Sequence, residues 1–233
     1  MNLTMILATL SVLCILVRVL VPDKKPGGDG ASAGFASKVI SSLLFCLAGL
    51  AAVLGREVTL PRAGMLAAFL LALLGDIFLG LHPFTHKKHK NYFFLLGTVP
   101  FLFAQLLYIA VFLSLVPFHW ALAPLALLLP VLYLLLIQRG VLAYLCENTL
   151  PILVYGLIVS IMVVSGVSLL VAGHPAGFWA LPAGLLFALS DTSLFLFNFG
   201  SDRVRAHGKG LTALVMLPYY AAQALFALAL LQI

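Results

Sequence analysis

Eight apolar runs, each long enough to cross a bilayer as a helix, occupy most of this 233-residue chain. A transmembrane helix needs about 20 largely apolar residues to cross about 30 Å of hydrocarbon. The runs show almost none of the polar–apolar alternation that a barrel strand requires, which favours helices. The predicted spans are residues 3–20, 38–54, 63–80, 93–116, 119–137, 148–171, 178–199 and 210–232. We therefore predict an all-α polytopic membrane protein with eight transmembrane helices, folded as a single membrane domain over residues 1–233.

The composition excludes the soluble alternatives. Hydrophobic residues make up 64% of the chain and charged residues 9%, against roughly 45–50% and 25% in soluble domains. A soluble fold of this size cannot bury that apolar excess, and a disordered chain needs the opposite balance. The longest connection, Val21–Ser37, contains two prolines and four glycines, so we expect a flexible loop there. Met1–Leu20 lacks a basic start and a clear cleavage site, so we expect a first span rather than a signal peptide.

The basic residues are distributed unevenly among the connections between the predicted spans. Eleven of the thirteen lysines and arginines fall in the odd-numbered connections, and only Arg56 and Arg62 fall in the even-numbered ones. By the positive-inside rule this segregation supports eight spans, with the basic loops in the cytoplasm and both termini non-cytoplasmic. If the protein is bacterial, we expect it in the plasma or inner membrane. The net charge of +6 is then explained by topology, and no nucleic-acid partner is expected.

Two short motifs recur in the same order along the chain. Small-Asp-x-x-Leu occurs at Gly75–Leu79 and again at Ser190–Leu194, 115 residues later. Pro-aromatic-x-x-Ala-Gln-x-Leu-aromatic occurs at Pro100–Tyr108 and at Pro218–Phe226, 118 residues later. We interpret these as traces of two parallel four-helix halves, residues 1–118 and 119–233, related by an axis along the membrane normal. The alternative is chance similarity within a background rich in Leu, Ala and Phe.

Asp76 and Asp191 are the acidic residues that lie well inside predicted spans. Ionisable residues are expensive in a membrane, and they mark functional sites by default. At 1.5 Å per residue, Asp76 lies about 6 Å and Asp191 about 12 Å from the predicted cytoplasmic ends of their spans. Other polar side chains are expected in the same leaflet and are candidate substrate-binding residues: Gln105, Tyr108, Tyr155, Asn198, Tyr219, Tyr220 and Gln223.

Two carboxylates brought close together in a low dielectric cannot both ionise easily. One then serves as an acid and the other as a base, which is what acid–base hydrolysis requires. We therefore predict Asp76 and Asp191 as catalytic residues. The alternative is that each aspartate only joins helices through hydrogen bonds to Ser, Tyr or Gln.

The residues of the later spans resemble the YhhN-like, or lysoplasmalogenase, family of eight-span membrane proteins. The resemblance covers most of the chain after residue 70, and its matching stretches are LLGDIFLG, GTVPFLFAQLLYIAVF, VYGLIVSIM, GLLFALSDTSLFLFNF and LPYYAAQALFAL. Asp76 and Asp191 match the family's two prominent aspartates. Its polar membrane residues are matched by Tyr108, Tyr155, Tyr219, Tyr220 and Gln223.

The resemblance implies hydrolysis of the vinyl ether bond of lysoplasmalogens to a fatty aldehyde and a glycerophospho-alcohol. The implied partners are a lysophospholipid substrate, water and membrane lipids, without a cofactor. The chain departs from the family at Gln105, where the fourth span usually carries a histidine. Glutamine cannot transfer protons, so an acid–base role of that histidine would make this chain slower, inactive or differently selective. A purely orienting role can be taken over by glutamine.

Two other classes of function remain open. Paired intramembrane carboxylates and repeated halves also describe a proton- or ion-coupled transporter, and Gln105 is compatible with a non-catalytic lipid-binding relative. No metal is expected, because the histidines of HPFTHKKH (His82, His86 and His89) are interleaved with lysines and no histidine lies inside a span. The sequence contains no P-loop or GxGxxG motif.

Overall fold

The computed structural model describes residues 2–20, 29–81, 90–143 and 149–233. Within these ranges, eight helical segments are long and apolar enough to cross a membrane, which confirms the predicted number of spans. The helices are α1 (Leu3–Leu20), α2 (Asp29–Val53), α3 (Leu60–Leu81), α4 (Lys90–Leu115), a 3₁₀ helix (Trp120–Leu127) continued by α5 (Leu128–Gln138), α6 (Thr149–Val171), α7 (Gly177–Phe199), the short α8 (Asp202–Arg205) and α9 (Gly208–Leu230).

The outer surface of the bundle is apolar. Exposed leucines and valines occur along the outward faces of the helices, among them Leu13, Leu47, Leu70, Leu106 and Leu185. A soluble protein does not expose apolar residues on this scale. The protein is therefore an integral multi-pass membrane protein whose leucine-rich faces meet lipid.

The second span begins earlier than the sequence indicates. The flexible loop expected over Val21–Ser37 is wrong for its second half, because α2 already begins at Asp29. Prolines are confined to the part before residue 29, while the residues after Gly30 are mostly small and helix-compatible, including Ala31, Ala33 and Ala36. Lys38, assigned to that connection by the charge count, consequently lies inside a span (Gly34–Val53).

The fifth span is not one continuous α-helix. It starts as a 3₁₀ helix, Trp120–Leu127, which contains Pro124, and becomes α-helical only at Leu128. Proline removes a backbone donor and its ring crowds the carbonyl four residues earlier, so the tighter 3₁₀ pattern carries this segment. The predicted boundary between halves, residue 118, falls in the connection between α4 and this 3₁₀ helix.

The helices pack in a corresponding order in the two parts of the chain. Helix α3 packs on α2 and α4, and α7 packs on α6 and α9. Helix α4 also contacts α6, while α9 contacts α2. The outer helices differ, since α1 packs against both α2 and α9, whereas α5 packs mainly against α6. The division into repeated halves stays a prediction.

Two glycines let helices approach closely near the buried polar residues. A Cβ atom at Gly75 would lie 2.6 Å from the ring of Phe101, so α3 and α4 meet at a site only glycine fits. At Gly156 a Cβ would lie 2.6 Å from the ring of Tyr133, which places α5 against α6 in the same way. The first contact lies next to Asp76, and the second positions α6, whose Tyr155 bonds Asp191.

The two arginines that depart from the charge pattern have structural partners. Arg56 donates to the carbonyl of Leu231 at 2.8 Å, and Arg62 donates to the carbonyl of Ile233 at 3.2 Å. Cations stabilise helix C-termini because the last carbonyls are unpaired and carry partial negative charge. The α2–α3 connection and the end of α9 therefore lie at the same end of the bundle.

Candidate active site

Asp76 lies near the end of α3 and is buried between three helices. Its Oδ2 atom accepts hydrogen bonds from the Ser42 hydroxyl of α2 at 2.6 Å and the Tyr219 hydroxyl of α9 at 2.7 Å. The neighbouring Gly75 brings α4 close on the other side through Phe101. Asp76 keeps 5% of its surface exposed. The carboxylate is thus held in place through one oxygen.

The Asp76 cluster continues to a second tyrosine and to the backbone of α2. The hydroxyls of Ser42 and Tyr220 lie 3.2 Å apart, and Tyr220 donates to the carbonyl of Lys38 at 3.1 Å. The Ser42 hydroxyl also lies 2.8 Å from that carbonyl. Because a hydroxyl both donates and accepts, this network can hydrogen-bond Asp76 either as a carboxylate or as a carboxylic acid.

Asp191 lies in α7 and has a matching environment. Its Oδ2 atom accepts hydrogen bonds from the Gln105 amide of α4 at 3.0 Å and the Tyr155 hydroxyl of α6 at 3.0 Å. The same Gln105 nitrogen donates to the Tyr155 hydroxyl at 2.8 Å. Asp191 keeps 6% of its surface exposed. An amide nitrogen only donates, so Oδ2 of Asp191 must act as an acceptor here.

Both carboxylates leave their second oxygen open. No described residue donates a hydrogen bond to Oδ1 of Asp76 or of Asp191. Neither Oδ1 is among the fully buried polar atoms of the described region that lack a partner. Within the described residues each Oδ1 therefore keeps its hydrogen-bonding capacity for a ligand or a water molecule. A carboxyl group held through one oxygen and open at the other is positioned to give or take a proton at the open oxygen.

The two carboxylates are not joined by a hydrogen bond within the described residues. Aromatic rings lie between their helices: Tyr219, bonded to Asp76, packs edge-on against Phe101 and Phe187, with ring centroids 5.5 and 5.7 Å apart. Phe187 precedes Asp191 by one turn of α7. The structure thus builds one hydrogen-bonded cluster around each aspartate, and Tyr219 reaches from the Asp76 cluster to Phe187, one turn from Asp191. The single site with both carboxylates close together stays a prediction.

The predicted binding residues divide between several places. Gln105 and Tyr155 contact Asp191, Tyr219 contacts Asp76, and Tyr220 reaches the Asp76 cluster through Ser42. Tyr108 instead donates to Gln223 at 2.8 Å, which links α4 to α9 deeper in the bundle. Asn198 donates to the carbonyl of Leu194 in its own helix, so it belongs to neither cluster.

Sequence reasoning missed several residues of these clusters. Ser42 bonds Asp76 directly, and Lys38 lies one turn earlier on α2. The Tyr133 hydroxyl lies 3.1 Å from the Thr192 hydroxyl, next to Asp191. A serine in an apolar span gives little signal because serine also packs as a small residue. The spacing of Lys38 and Ser42 by one helical turn was the available clue.

Two buried amide atoms have no partner among the described residues. These are Oε1 of Gln105, an acceptor, and Nε2 of Gln223, a donor. An unpaired buried polar atom costs about 1–3 kcal/mol, and bound water commonly satisfies such atoms. Within the described residues no group of three metal-ligating side chains comes together, and His82, His86 and His89 lie outside them.

The fold and these clusters define an integral membrane protein of eight helical spans with two buried carboxylate sites between its helices. The YhhN family model matches residues 33–230, which is most of the chain, and the chain belongs to that family. No curated protein and no solved structure matches it. The resemblance identified from the sequence is thereby confirmed at the level of the family.

Proposed function

We propose that this protein hydrolyses the vinyl ether bond of lysoplasmalogens within the membrane. The YhhN family includes lysoplasmalogenases, which supports this substrate class. The observation that carries the proposal is the arrangement of Asp76 and Asp191, each held through Oδ2 by two donors and open at Oδ1. The alkenyl chain would lie among the apolar helices, as expected of a lysophospholipid substrate.

Vinyl ether hydrolysis begins with protonation of the β-carbon of the double bond. The electron pair of the C=C bond forms the new C–H bond and leaves an oxocarbenium-like cation. Water adds to that cation and loses a proton, and the resulting hemiacetal collapses to a fatty aldehyde and a glycerophospho-alcohol. One carboxyl of the Asp76 and Asp191 pair supplies the first proton. The other, as carboxylate, stabilises the cation and takes the proton of the water.

Gln105 has an orienting role in this proposal. Its Nε2 already donates to both Asp191 and Tyr155, and the N–H of a neutral histidine would supply one of these two hydrogen bonds. Its Oε1 is buried and has no partner among the described residues. These contacts support the reading in which glutamine replaces the family histidine without taking part in proton transfer.

The decisive experiment is aldehyde release by purified protein in detergent, without any gradient across a membrane. The substrate is an alkenyl glycerophosphoethanolamine or glycerophosphocholine, and the variants are Asp76→Asn and Asp191→Asn. A matched control is Ser165→Ala, which removes a buried hydroxyl that bonds only within α6. We expect activity for wild type and control and at least about a hundredfold loss for each aspartate variant. Equal rates for all four proteins would refute the catalytic assignment.

The same assay separates the alternatives. A coupled transporter would release no aldehyde and would move its substrate only when a gradient is imposed. Helices α4 and α9 continue through Pro100 and Pro218, so they lack the unwound segments that transporters use to coordinate ions. A non-catalytic relative would bind the lipid in detergent and leave it intact.

A further inference from the structure

Lys38 is a cation inside a span without a carboxylate bonded to it. It lies on α2 within the Gly34–Val53 span, and its side chain is half-buried. Among the described residues, no ion pair or side-chain hydrogen bond involves its ammonium group. Its carbonyl is held by the Tyr220 hydroxyl, so the backbone at Lys38 is fixed to the Asp76 cluster. Among the described residues, the ammonium group itself has no direct partner.

The ammonium group acts electrostatically on Asp76 without bonding to it. The Coulombic interaction between Lys38 and Asp76 is favourable for both charges, yet the two groups do not come within ion-pair distance. A half-buried charge lacking direct contacts costs free energy unless another group supplies them. A ligand anion in direct contact with Lys38 would do so.

A second cation lies at the same edge of α2. The Arg18 guanidinium of α1 packs against Gly34, where an added Cβ would be 3.2 Å from Nη2. Gly34 and Lys38 are one helical turn apart, so their Cα atoms are separated by about 6 Å along one face of α2. The Arg18 guanidinium, packed against Gly34, and the Lys38 ammonium group, one turn further along α2, suit a phosphate because both form charge-assisted hydrogen bonds with its oxygens.

We propose that Lys38, with Arg18, binds the phosphate of a phospholipid substrate and so positions the lipid over the Asp76 cluster. The inference rests on the proposed function and names the binding site of its headgroup. Lys38 lies in the first turns of its span and Ser42 one turn deeper, about 6 Å further into the membrane. A phosphate at Lys38 places the glycerol carbons, and then the ether oxygen, along the path from Lys38 to Ser42 and Asp76.

The test measures binding with ligands that cannot be cleaved. One ligand is a 1-O-alkyl glycerophosphoethanolamine with a saturated ether, and the other is the 1-O-alkylglycerol of the same chain, which lacks the phosphate. Affinities are measured by calorimetry on the full chain in detergent for wild type, Lys38→Met and Lys38→Arg. The matched control is Lys209→Met, which removes an exposed cation from the same end of the bundle.

We expect wild type to bind the phosphate-bearing ligand at least about tenfold tighter than the neutral one. Lys38→Met should abolish that preference and leave the affinity for the neutral ligand unchanged, which also shows that the variant is folded. Lys38→Arg and Lys209→Met should keep the preference. Competition by inorganic phosphate and by glycerophosphoethanolamine distinguishes a site for free phosphate from a site for a lipid headgroup. We expect both compounds to compete poorly because they lack the alkyl chain of the lipid.

Three outcomes would overturn the inference. They are equal binding of both ligands by wild type, an equal loss of both affinities in Lys38→Met, and strong competition by inorganic phosphate alone. Equal binding by wild type refutes the inference even if Lys38→Met fails to fold, and Lys38→Arg then serves as the second variant. None of these measurements requires cleavage, so a failed aldehyde assay would refute the proposed hydrolysis without affecting the phosphate site.

Discussion

Tyr108 and Phe226 stack with their ring centroids 4.2 Å apart, and they occupy the same position in the two copies of the Pro-aromatic-x-x-Ala-Gln-x-Leu-aromatic motif. Phe101 and Tyr219, another pair of equivalent positions, meet edge-on at 5.5 Å. Equivalent residues contact each other wherever a two-fold axis passes between their helices. These contacts are what an axis between α4 and α9 would produce.

The polar clusters follow the same relation. Asp76 takes its donors from α2 and α9, and Asp191 takes its donors from α6 and α4. If the two halves are repeats, each carboxylate is bonded by the second helix of its own half and the last span of the other. We predict that α2–α4 superpose on α6, α7 and α9. Failure of that superposition would refute the repeat.

Replacing Phe226 by alanine should destabilise the protein by about 3–5 kcal/mol, because its fully buried ring stacks on Tyr108. Denaturant titration in detergent measures this change in the free energy of unfolding. Phe178→Ala is the matched control, since that ring is 66% exposed on the outer surface. A similar decrease in the free energy of unfolding for both variants would show that the contact between α4 and α9 does not contribute to stability more than an exposed ring does.

Removing one donor from a carboxylate should slow aldehyde release without unfolding the protein. Ser42→Ala takes a 2.6 Å bond from Asp76 and Tyr155→Phe takes a 3.0 Å bond from Asp191. A hydrogen bond to a charged group contributes about 1.5–3 kcal/mol, so we expect a decrease in kcat of about ten- to a hundredfold. Tyr108→Phe, which loses only its bond to Gln223, should stay near the wild-type rate. A decrease in Tyr108→Phe alone would contradict the two-cluster site.

Gln105→His should keep most of the activity, and Gln105→Leu should lose it. Histidine can still donate one N–H to Asp191, whereas leucine leaves the carboxylate and Tyr155 without their shared donor. The comparison is made on kcat at fixed pH in detergent. If Gln105→Leu is as active as wild type, the amide does not orient Asp191.

Gly75→Ala should impair activity strongly although the substitution adds only one methyl group. The new Cβ would lie 2.6 Å from the Phe101 ring, so α3 and α4 must separate, at about 1–3 kcal/mol of overpacking. The displaced helix carries Asp76. Gly210→Ala is the control because its added Cβ meets nothing within 4 Å. Both unfolding and aldehyde release should distinguish the two variants, and equal behaviour would show that the close approach at Gly75 is unimportant.

Single cysteines test the proposed sidedness in intact cells, in a background with Cys14, Cys46 and Cys146 replaced by serine. A cysteine at Gly55 should react with an impermeant thiol reagent from outside, while one at Gly208 should be protected. Arg56 and Arg62 tie the Gly55 connection to the end of α9, so a cysteine added after Ile233 should label like Gly55. Labelling at Gly208 from outside would reverse the predicted orientation.

The number and approximate limits of the spans could be predicted because spanning a bilayer requires only a sufficiently long run of apolar residues along the chain. About 20 apolar residues in a row satisfy a bilayer whatever their neighbours are. Polar residues within spans are equally visible, since each is costly unless bonded, and this is how Asp76, Asp191, Gln105 and Tyr155 could be identified. The early start of α2 and the 3₁₀ segment at Pro124 depended on local backbone preferences that hydropathy does not measure.

By itself, then, the sequence determined a bundle of eight helices with buried carboxylates, because the cost of burying polar groups acts residue by residue. Only the tertiary structure decided which partners each carboxylate has. Ser42 joins Asp76 and Gln105 joins Asp191 across helix interfaces, and Tyr219, bonded to Asp76, packs on Phe101 and Phe187. Those contacts depend on how α2, α4, α6 and α9 pack in three dimensions, and close packing at Gly75 and Gly156 is a property of pairs of helices rather than of any single run of residues.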